Sequence, residues 1–267
     1  MTLKYTHSLS KQEIDNFIEN GFVKIEGAFD AKIAEEGRQI LWSDMKKNPF
    51  EPKTWTEPVV RLVPSIDKPF ELAVNTPRLH GAYHQLVGEN WIKRSNAGYF
   101  VVRFPSPIEP DDTGWHIDAS FEIDGEYSVS LYSRGRALLM LFLFSDVDEN
   151  DAPTRIRIGS HLDIPPLLVA AGDAGLKCKD IQLQVEEVSR NRSIDFATGK
   201  AGDVYLCHPF LVHAAQKNIG KNVKFMAQPP LLNKAPFKIE GKADAFCPVE
   251  LAILKGLEYI ENRKSGG

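Results

Sequence analysis

Two short stretches of this chain carry residues that could do chemistry. In Gly114-Trp115-His116-Ile117-Asp118 a histidine and an aspartate lie two apart; in the apolar run from Gly202 to Asn218, His208 and His213 lie five apart. On an extended chain, residues i and i+2 project to the same side. His116 and Asp118 therefore present an imidazole and a carboxylate together, as a shared metal ion requires. Such a pair is common by chance and gains weight only from a partner. One more histidine from a second strand would close a two-His-one-carboxylate face, which suits non-haem iron(II) and leaves coordination positions open. The same donors also suit zinc.

Which histidine closes the face is a question of position. An odd separation places His208 and His213 on opposite faces of an unbroken strand, and Pro209 interrupts that strand. His213 precedes a turn signal at Asn218-Ile219-Gly220, nearer a sheet end, where loops build sites. His208 reads as a supporting or core histidine. A four-residue turn over Lys217–Gly220 would pair His213 with Lys224 across a hairpin, with Lys224 and Met226 on one face. A lysine pointing into a barrel is costly unless an anion meets it. The functional reading of Lys224 is a receptor for an acidic co-substrate; the plainer one is a lysine that snorkels out at the rim. Arg103 could pair with an acid or bind substrate, or be a rim charge. Trp115 and Phe121 read as packing aromatics, Asn218 as holding the turn, and Gly159-Ser160-His161 as a structural turn.

The elements that must position these residues follow from capping and periodicity. Ser10 and Glu13 form a capping-box pattern ahead of an apolar stripe that Gly21 ends. Phe22–Ile25 reads as a strand, Asp30 as the cap of a helix to about Lys47, and residues 48–66, with Pro49, Pro52, Pro58 and Pro64, as an irregular loop. Thr76 and Pro77 start a helix to about Val87. Beyond Trp91 the period changes to short strand candidates: residues 98–104, GWHIDASF, ALLMLFLF, TRIRIGSH, RSIDF, GDVYLC, FLVHAAQ and VKFMAQ. Their close spacing between Gly, Pro, Asn and Asp marks a sandwich or barrel. Residues 162–175 are partly helical and read as an insertion over one end; 248–257 reads as a last helix and 264–267 as a frayed tail. The expected architecture is one domain over 1–267: a helical part at about 10–90, a β core at about 97–230 and a C-terminal helix.

Composition narrows the function classes. The chain has 267 residues, 43% hydrophobic and 25% charged, which suits a soluble globular protein. A net charge of −4 without a basic stripe speaks against a nucleic-acid partner or an anionic membrane surface. Cys178, Cys207 and Cys247, sparse and odd in number, predict reduced thiols and a cytoplasmic setting. The N-terminus shows no signal-peptide pattern, and the longest apolar run, Ala137–Phe144, is too short to span a bilayer.

The segments IDNFIENGFVKIEGAF, WHIDASF, FLFSDVDENDAPTRIRIGSH and GDVYLCHPFLVHAAQKN, in this order and spacing, resemble the phytanoyl-CoA dioxygenase (PhyH-like) family of iron(II)- and 2-oxoglutarate-dependent oxygenases. The resemblance spans about residues 11–230. It implies a double-stranded β-helix, a distorted jelly roll with helices packed on one side. It implies that His116, Asp118 and His213 bind iron(II) and that the basic residue eleven after the distal histidine, Lys224, meets the far carboxylate of 2-oxoglutarate. That residue is usually arginine in the family, and lysine loses the bidentate fork. Ile158 stands where the family often has proline. The resemblance sets Thr154 and Arg155 near the co-substrate, although Arg155 shares a face with Arg157 and Thr154 takes the other. The implied reaction consumes dioxygen and 2-oxoglutarate, releases succinate and CO2, and hydroxylates an unactivated C–H bond of a small molecule. Asp118 separates the chain from related halogenases, which lack the carboxylate. A zinc hydrolase and a non-catalytic small-molecule-binding β-helix are the rival readings. Residues 48–66, 120–136 and 162–192 are the expected lid elements.

Overall fold

Local sequence signals build the first helices as expected. Ser10 Oγ accepts from Glu13 N while the Glu13 carboxylate accepts from Ser10 N, and this box starts α1 (Lys11–Asn20); Gly21, at φ 87°, ends it. The computed structural model describes residues 8–118, 121–241 and 245–265. The N-terminal Met1–His7, Ala119 and Ser120 of the expected HxD strand, and Gly266 and Gly267 of the expected tail lie outside the described residues. After α1 come β1 (Phe22–Ile25) and α2 (Ala31–Met45), capped by the Asp30 side chain on Lys32 N. Next are β2 (Val59–Leu62), α3 (Lys68–Val74), and α4 (Pro77–Val87), capped by Thr76. The β-rich part holds β3 (Phe100–Arg103), β4 (Phe121–Ile123), β5 (Glu126–Val129), β6 (Leu138–Leu143) and β7 (Thr154–Arg157). It continues with α5 (Pro165–Leu168), β8 (Leu176–Lys177), α6 (Cys178–Ser189), β9 (Ile194–Ala197) and β10 (Val204–Cys207). The chain finishes with β11 (His213–Ala214), β12 (Lys224–Ala227), β13 (Pro230–Leu231) and α7 (Pro248–Ser265).

Three sheets result. The largest runs β1-β10-β6-β12-β3-β2, with β13 added to β6; the second is β11-β7-β9; a small third is β4-β5-β8. Every pairing in them is antiparallel. Strand β6 shows why the first two sheets face each other. Leu139, Leu141 and Leu143 pack with Ile156 of β7, Ala197 of β9 and Met226 of β12, between the sheets. Leu138, Met140 and Phe142 instead join the larger cluster shared with the helices, among them Phe17, Phe29 and Leu41. A strand buried on both sides needs an unbroken apolar run, and β6 has one. Each of these leucines stabilises the fold by roughly 1.5–3 kcal/mol through burial. The alternation also sorts the site: Phe225 and Ala227 face the helical side, so Lys224 and Met226 face the space between the sheets.

Several expectations are corrected. The 48–66 segment is not wholly irregular: Val59–Leu62 forms β2 on the edge of the large sheet, where Val60 and Leu62 pack against the core. Helix α3, only seven residues long with Pro69 in its first turn, is too short to show a period in sequence. Helix α6 was not anticipated, although Ile181, Val185 and Ser189 recur at four-residue spacing on its buried side. The last helix runs to Ser265 instead of ending near Leu257, since no proline or glycine interrupts the chain between Gly256 and Gly266. Over residues 114–118 the GWHIDASF stretch forms no strand: His116 makes one isolated bridge, to His213.

The anticipated hairpin from His213 to Lys224 also fails. His213 pairs with Ile156 of β7, whereas Lys224 pairs with Arg103 of β3, so the two residues belong to different sheets. The turn instead crosses from one sheet to the other. Asn218 holds it, donating to Asn222 O and Arg103 O and accepting from Gly220 N.

Candidate metal and co-substrate site

The chemistry of the site begins with two backbone bonds. His116 N donates to His213 O, and His213 N donates to His116 O, each at 3.0 Å. The two residues thus form a hydrogen-bonded antiparallel pair, and such pairs bring side chains of one face together. Their rings stand 4.4 Å apart. His116 Nδ1 lies 2.9 Å from Gly114 O and His213 Nδ1 lies 3.0 Å from Leu211 O. A carbonyl oxygen only accepts, so both Nδ1 atoms carry the proton and both Nε2 atoms present a lone pair, that of His213 also lying 3.4 Å from the Gln228 amide nitrogen. Both Nε2 atoms lie 3.8 Å from the same oxygen of Asp118, Oδ1. His116, Asp118 and His213 bring one ligand atom each within 4.8 Å of one another, as a single metal ion requires.

The surroundings orient these groups. Arg136 Nη1 donates to the other Asp118 oxygen, Oδ2, at 3.0 Å, leaving Oδ1 turned to the histidines. Burial would raise the Asp118 carboxyl, but Arg136, His213 and His116 outweigh it and hold it below its ordinary value. Burial, with His116 alongside, pushes the His213 imidazole down to about 4. A neutral imidazole is the form that ligates. Trp115 anchors the HxD loop: the guanidinium groups of Arg155 and Arg157 lie 4.8 and 4.2 Å from its ring, and Gln182 of α6 donates to its carbonyl at 2.6 Å. Arg155 also donates to Thr113 O and Ala215 O, and Arg157 to Glu186 O and Ser189 Oγ. Both arginines are therefore committed to holding backbone. Phe121 packs under Arg134 in the same supporting way.

On the inner side of the triad lies a cavity of about 220 Å³, lined by His116, His213, Thr154, Met226, Gln228, Arg103, Arg61 and Asp112. Arg103 is not a rim charge: it is 3% exposed, because β3 lies inside the sheet between β12 and β2. Its Nη2 donates to Asp112 Oδ2 at 2.6 Å, and Arg61 donates to the same oxygen at 2.7 Å. Arg103 Nη1 and Asp112 Oδ1 are buried without a hydrogen-bond partner among the described residues. Lys224 does not reach the rim either, at 1% exposure. It stands behind Thr154: Nζ donates to Ala152 O at 2.7 Å and lies 3.5 Å from Thr154 Oγ1.

On the outer side a more open recess of about 410 Å³ is lined by His116, Ile117, Asp118, Tyr127, Cys178 and Gln182, with Asp112 and Gly114. The β4–β5 hairpin and α6 form its walls, and β8, which leads into α6, joins the hairpin in one small sheet. His213 side-chain exposure is 2% against 32% for His116 and 23% for Asp118, so the triad is approached from this recess.

His208 belongs elsewhere. Its Nδ1 accepts from Phe210 N and its Nε2 faces Val249 O of α7, so it is a satisfied core histidine. Gly159, at φ 73°, makes the turn expected of it and donates to Asn20 O, and Ser160 Oγ accepts from Val212 N beside His213. Sequence reading missed Arg136, Gln228, Asp112, Arg61 and Gln182. Gln228 was within reach, since it shares strand parity with Lys224 and Met226. Arg136 carries no local pattern that points to Asp118.

No protein-family model matches this sequence, and no curated protein sequence matches it. Solved structures do resemble the fold. HygX from Streptomyces hygroscopicus, with nickel, 2-oxoglutarate and hygromycin B bound, superimposes with a TM-score of 0.53 at 16% identity, covering 88% of this chain and 94% of that one. EctD from S. alaskensis, with 2-oxoglutarate and 5-hydroxyectoine, gives 0.57 at 18% identity over 88% of this chain and 78% of that one. SnoN, a non-haem α-ketoglutarate-dependent epimerase from nogalamycin biosynthesis, gives 0.52 at 15% identity over 82% and 80%. At such identities the likeness speaks for architecture. The chain is mainly β with flanking helices, built on the double-stranded β-helix core that these proteins share.

Proposed function

We propose that this protein is a non-haem iron(II)- and 2-oxoglutarate-dependent dioxygenase that hydroxylates an unactivated C–H bond of a small-molecule metabolite. One observation carries the reading: two Nε2 lone pairs and one carboxylate oxygen converge beside a cavity whose buried guanidinium has an unused donor. The donor set fits iron(II), with His116, Asp118 and His213 on one face and the remaining positions open. Held by these three residues, iron(II) would supply the activation of dioxygen that is coupled to conversion of 2-oxoglutarate to succinate and CO2.

The chain's own residues supply the rest. Backbone carbonyls fix the imidazole tautomers, and Arg136 fixes the carboxylate. Arg103 and Thr154 receive the far carboxylate of 2-oxoglutarate in the inner cavity, with Lys224 behind them. The outer recess, with Ile117, Tyr127 and Cys178 in its wall, takes the substrate, and the β4–β5 hairpin and α6 limit access of water. Within the superfamily we read the chain as PhyH-like. The ordered HxD, Gly-Ser-His and distal-histidine segments support this, while Lys224 in place of arginine and Ile158 in place of proline depart from the pattern. The sparse, odd set of free cysteines is our ground for reading a cytoplasmic setting. No helix among the described residues is long and apolar enough to cross a membrane.

A zinc hydrolase would need a free general base beside the triad. The further carboxylate that lines both cavities, Asp112, is bonded by two arginines, and burial, which would raise it, is outweighed by them. The reading is tested by incubating iron(II)-loaded protein with 2-oxoglutarate and oxygen. Succinate should form, and His116→Ala and Asp118→Ala should reduce it to background. Equal succinate from wild type and both variants would refute the assignment.

A further inference from the structure

We infer that Lys224, enclosed behind Thr154 of the inner cavity, is an uncharged amine, and that binding of a dicarboxylate co-substrate draws one proton from bulk water onto it. The inference rests on the oxygenase reading, which supplies the dicarboxylate, and on the burial and partners of one side chain.

Lys224 Nζ is enclosed, and its hydrogen-bond partners are a carbonyl oxygen, Ala152 O, and a hydroxyl, Thr154 Oγ1. The charged groups around it come from each element packed against β12. On β3, directly across the ladder, stands the Arg103 guanidinium, a like charge. The loop before the triad supplies Asp112, but Arg103 and Arg61 of β2 already share that carboxylate. Before β7, the Asp151 carboxylate accepts from Asn222 N and Nδ2. No carboxylate pairs with Lys224 among the described residues. An ammonium in that position would be desolvated, unpaired and beside another cation, and each of these conditions favours loss of the proton. Burial, reinforced by Arg103, drives the Lys224 amine well below its usual range.

A carboxylate seated at Thr154 and the unused Arg103 Nη1 reverses the balance. It adds negative charge next to Nζ, and the amine takes a proton from bulk water to become an ammonium. Arginine in this position would already be charged and would take up nothing. The use of lysine therefore makes co-substrate affinity depend on pH. Between the amine's empty-site and occupied-site pKa values, affinity falls about tenfold for each pH unit of increase.

Calorimetric titration of 2-oxoglutarate into manganese(II)-loaded protein, repeated in buffers of different ionisation enthalpy, reads the proton directly. Manganese occupies the triad first, so ligand protons do not enter the count. The expected slope of heat against ionisation enthalpy corresponds to about one proton taken up per 2-oxoglutarate bound. Lys224→Arg should bind with a slope near zero. Lys224→Met, which keeps the stem without the amine, should also lose the uptake and bind at least tenfold more weakly. Wild-type binding with zero slope would overturn the inference and leave the oxygenase reading standing. An unchanged slope in both variants would move the proton to another group and also overturn it. Absence of any 2-oxoglutarate binding would overturn the oxygenase reading and this inference with it.

Discussion

The smallest decisive unit here is a tautomer. His116 and His213 each give Nδ1–H to a backbone carbonyl, which leaves two lone pairs and one carboxylate oxygen converging on a point. The other histidine of the Gly202–Asn218 run, His208, has its ring nitrogens spent on Phe210 N and Val249 O. The two histidines should therefore separate cleanly in a metal titration. His213→Ala should abolish stoichiometric iron(II) or manganese(II) binding. His208→Asn, whose amide oxygen can still accept from Phe210 N, should retain one metal per chain; loss of metal binding in a folded His208→Asn protein would contradict the assignment. Residue types and spacing made His116 and Asp118 visible in the sequence, and turn signals favoured His213. The Arg136 contact to Asp118 was not visible, because it depends on how the β4–β5 hairpin returns the chain. Residue-level chemistry was legible where it is local and hidden where it is tertiary.

At the level of elements, side-chain parity survived where strand pairing did not. Lys224 and Met226 do share a face, and that face does look into the β core. The hairpin expected to place them opposite His213 does not exist, because residues 215–223 carry the chain between sheets. Sequence alternation records which side of a strand is buried, whereas pairing depends on which sheet a strand joins. The HxD segment shows the same limit. It is held by one bridge, Trp115 stacking and Gln182, and not by a strand ladder. The Gly-Ser-His turn is the element with the clearest reach into the site, since Ser160 Oγ accepts from Val212 N next to His213. Ser160→Ala leaves that buried N–H unpaired and should cost about 1–3 kcal/mol in urea unfolding. Metal affinity should fall with it; unaltered stability would mean that water or backbone shift replaces the hydroxyl.

For the whole molecule, two buried histidines tie stability to pH. His161 is pushed down to about 3 by burial, and His208 is pushed well below its ordinary value, the two rings 4.9 Å apart. The unfolded chain binds protons at these groups near pH 6.5, while the folded one refuses them until far lower pH. The unfolded state therefore holds more protons below about pH 6.5, and stability, complete above that value, falls as pH drops toward 3. Thermal melting should show Tm decreasing from about pH 7 to about pH 4.5, with a shallower slope in His161→Gln; a flat profile would contradict the burial of these rings as neutral groups. The core follows the same logic of burial, with β6 supplying alternate side chains to two apolar layers and so carrying the sheet that presents the site. That strand and the capped helices were plain in the sequence; α3, β2 and the three-sheet topology depend on long-range packing and were not. The most direct test of the central claim is spectroscopic. Iron(II) and 2-oxoglutarate added under anaerobic conditions should give a visible charge-transfer band that disappears when oxygen is admitted. A folded protein that shows no such band would contradict the account.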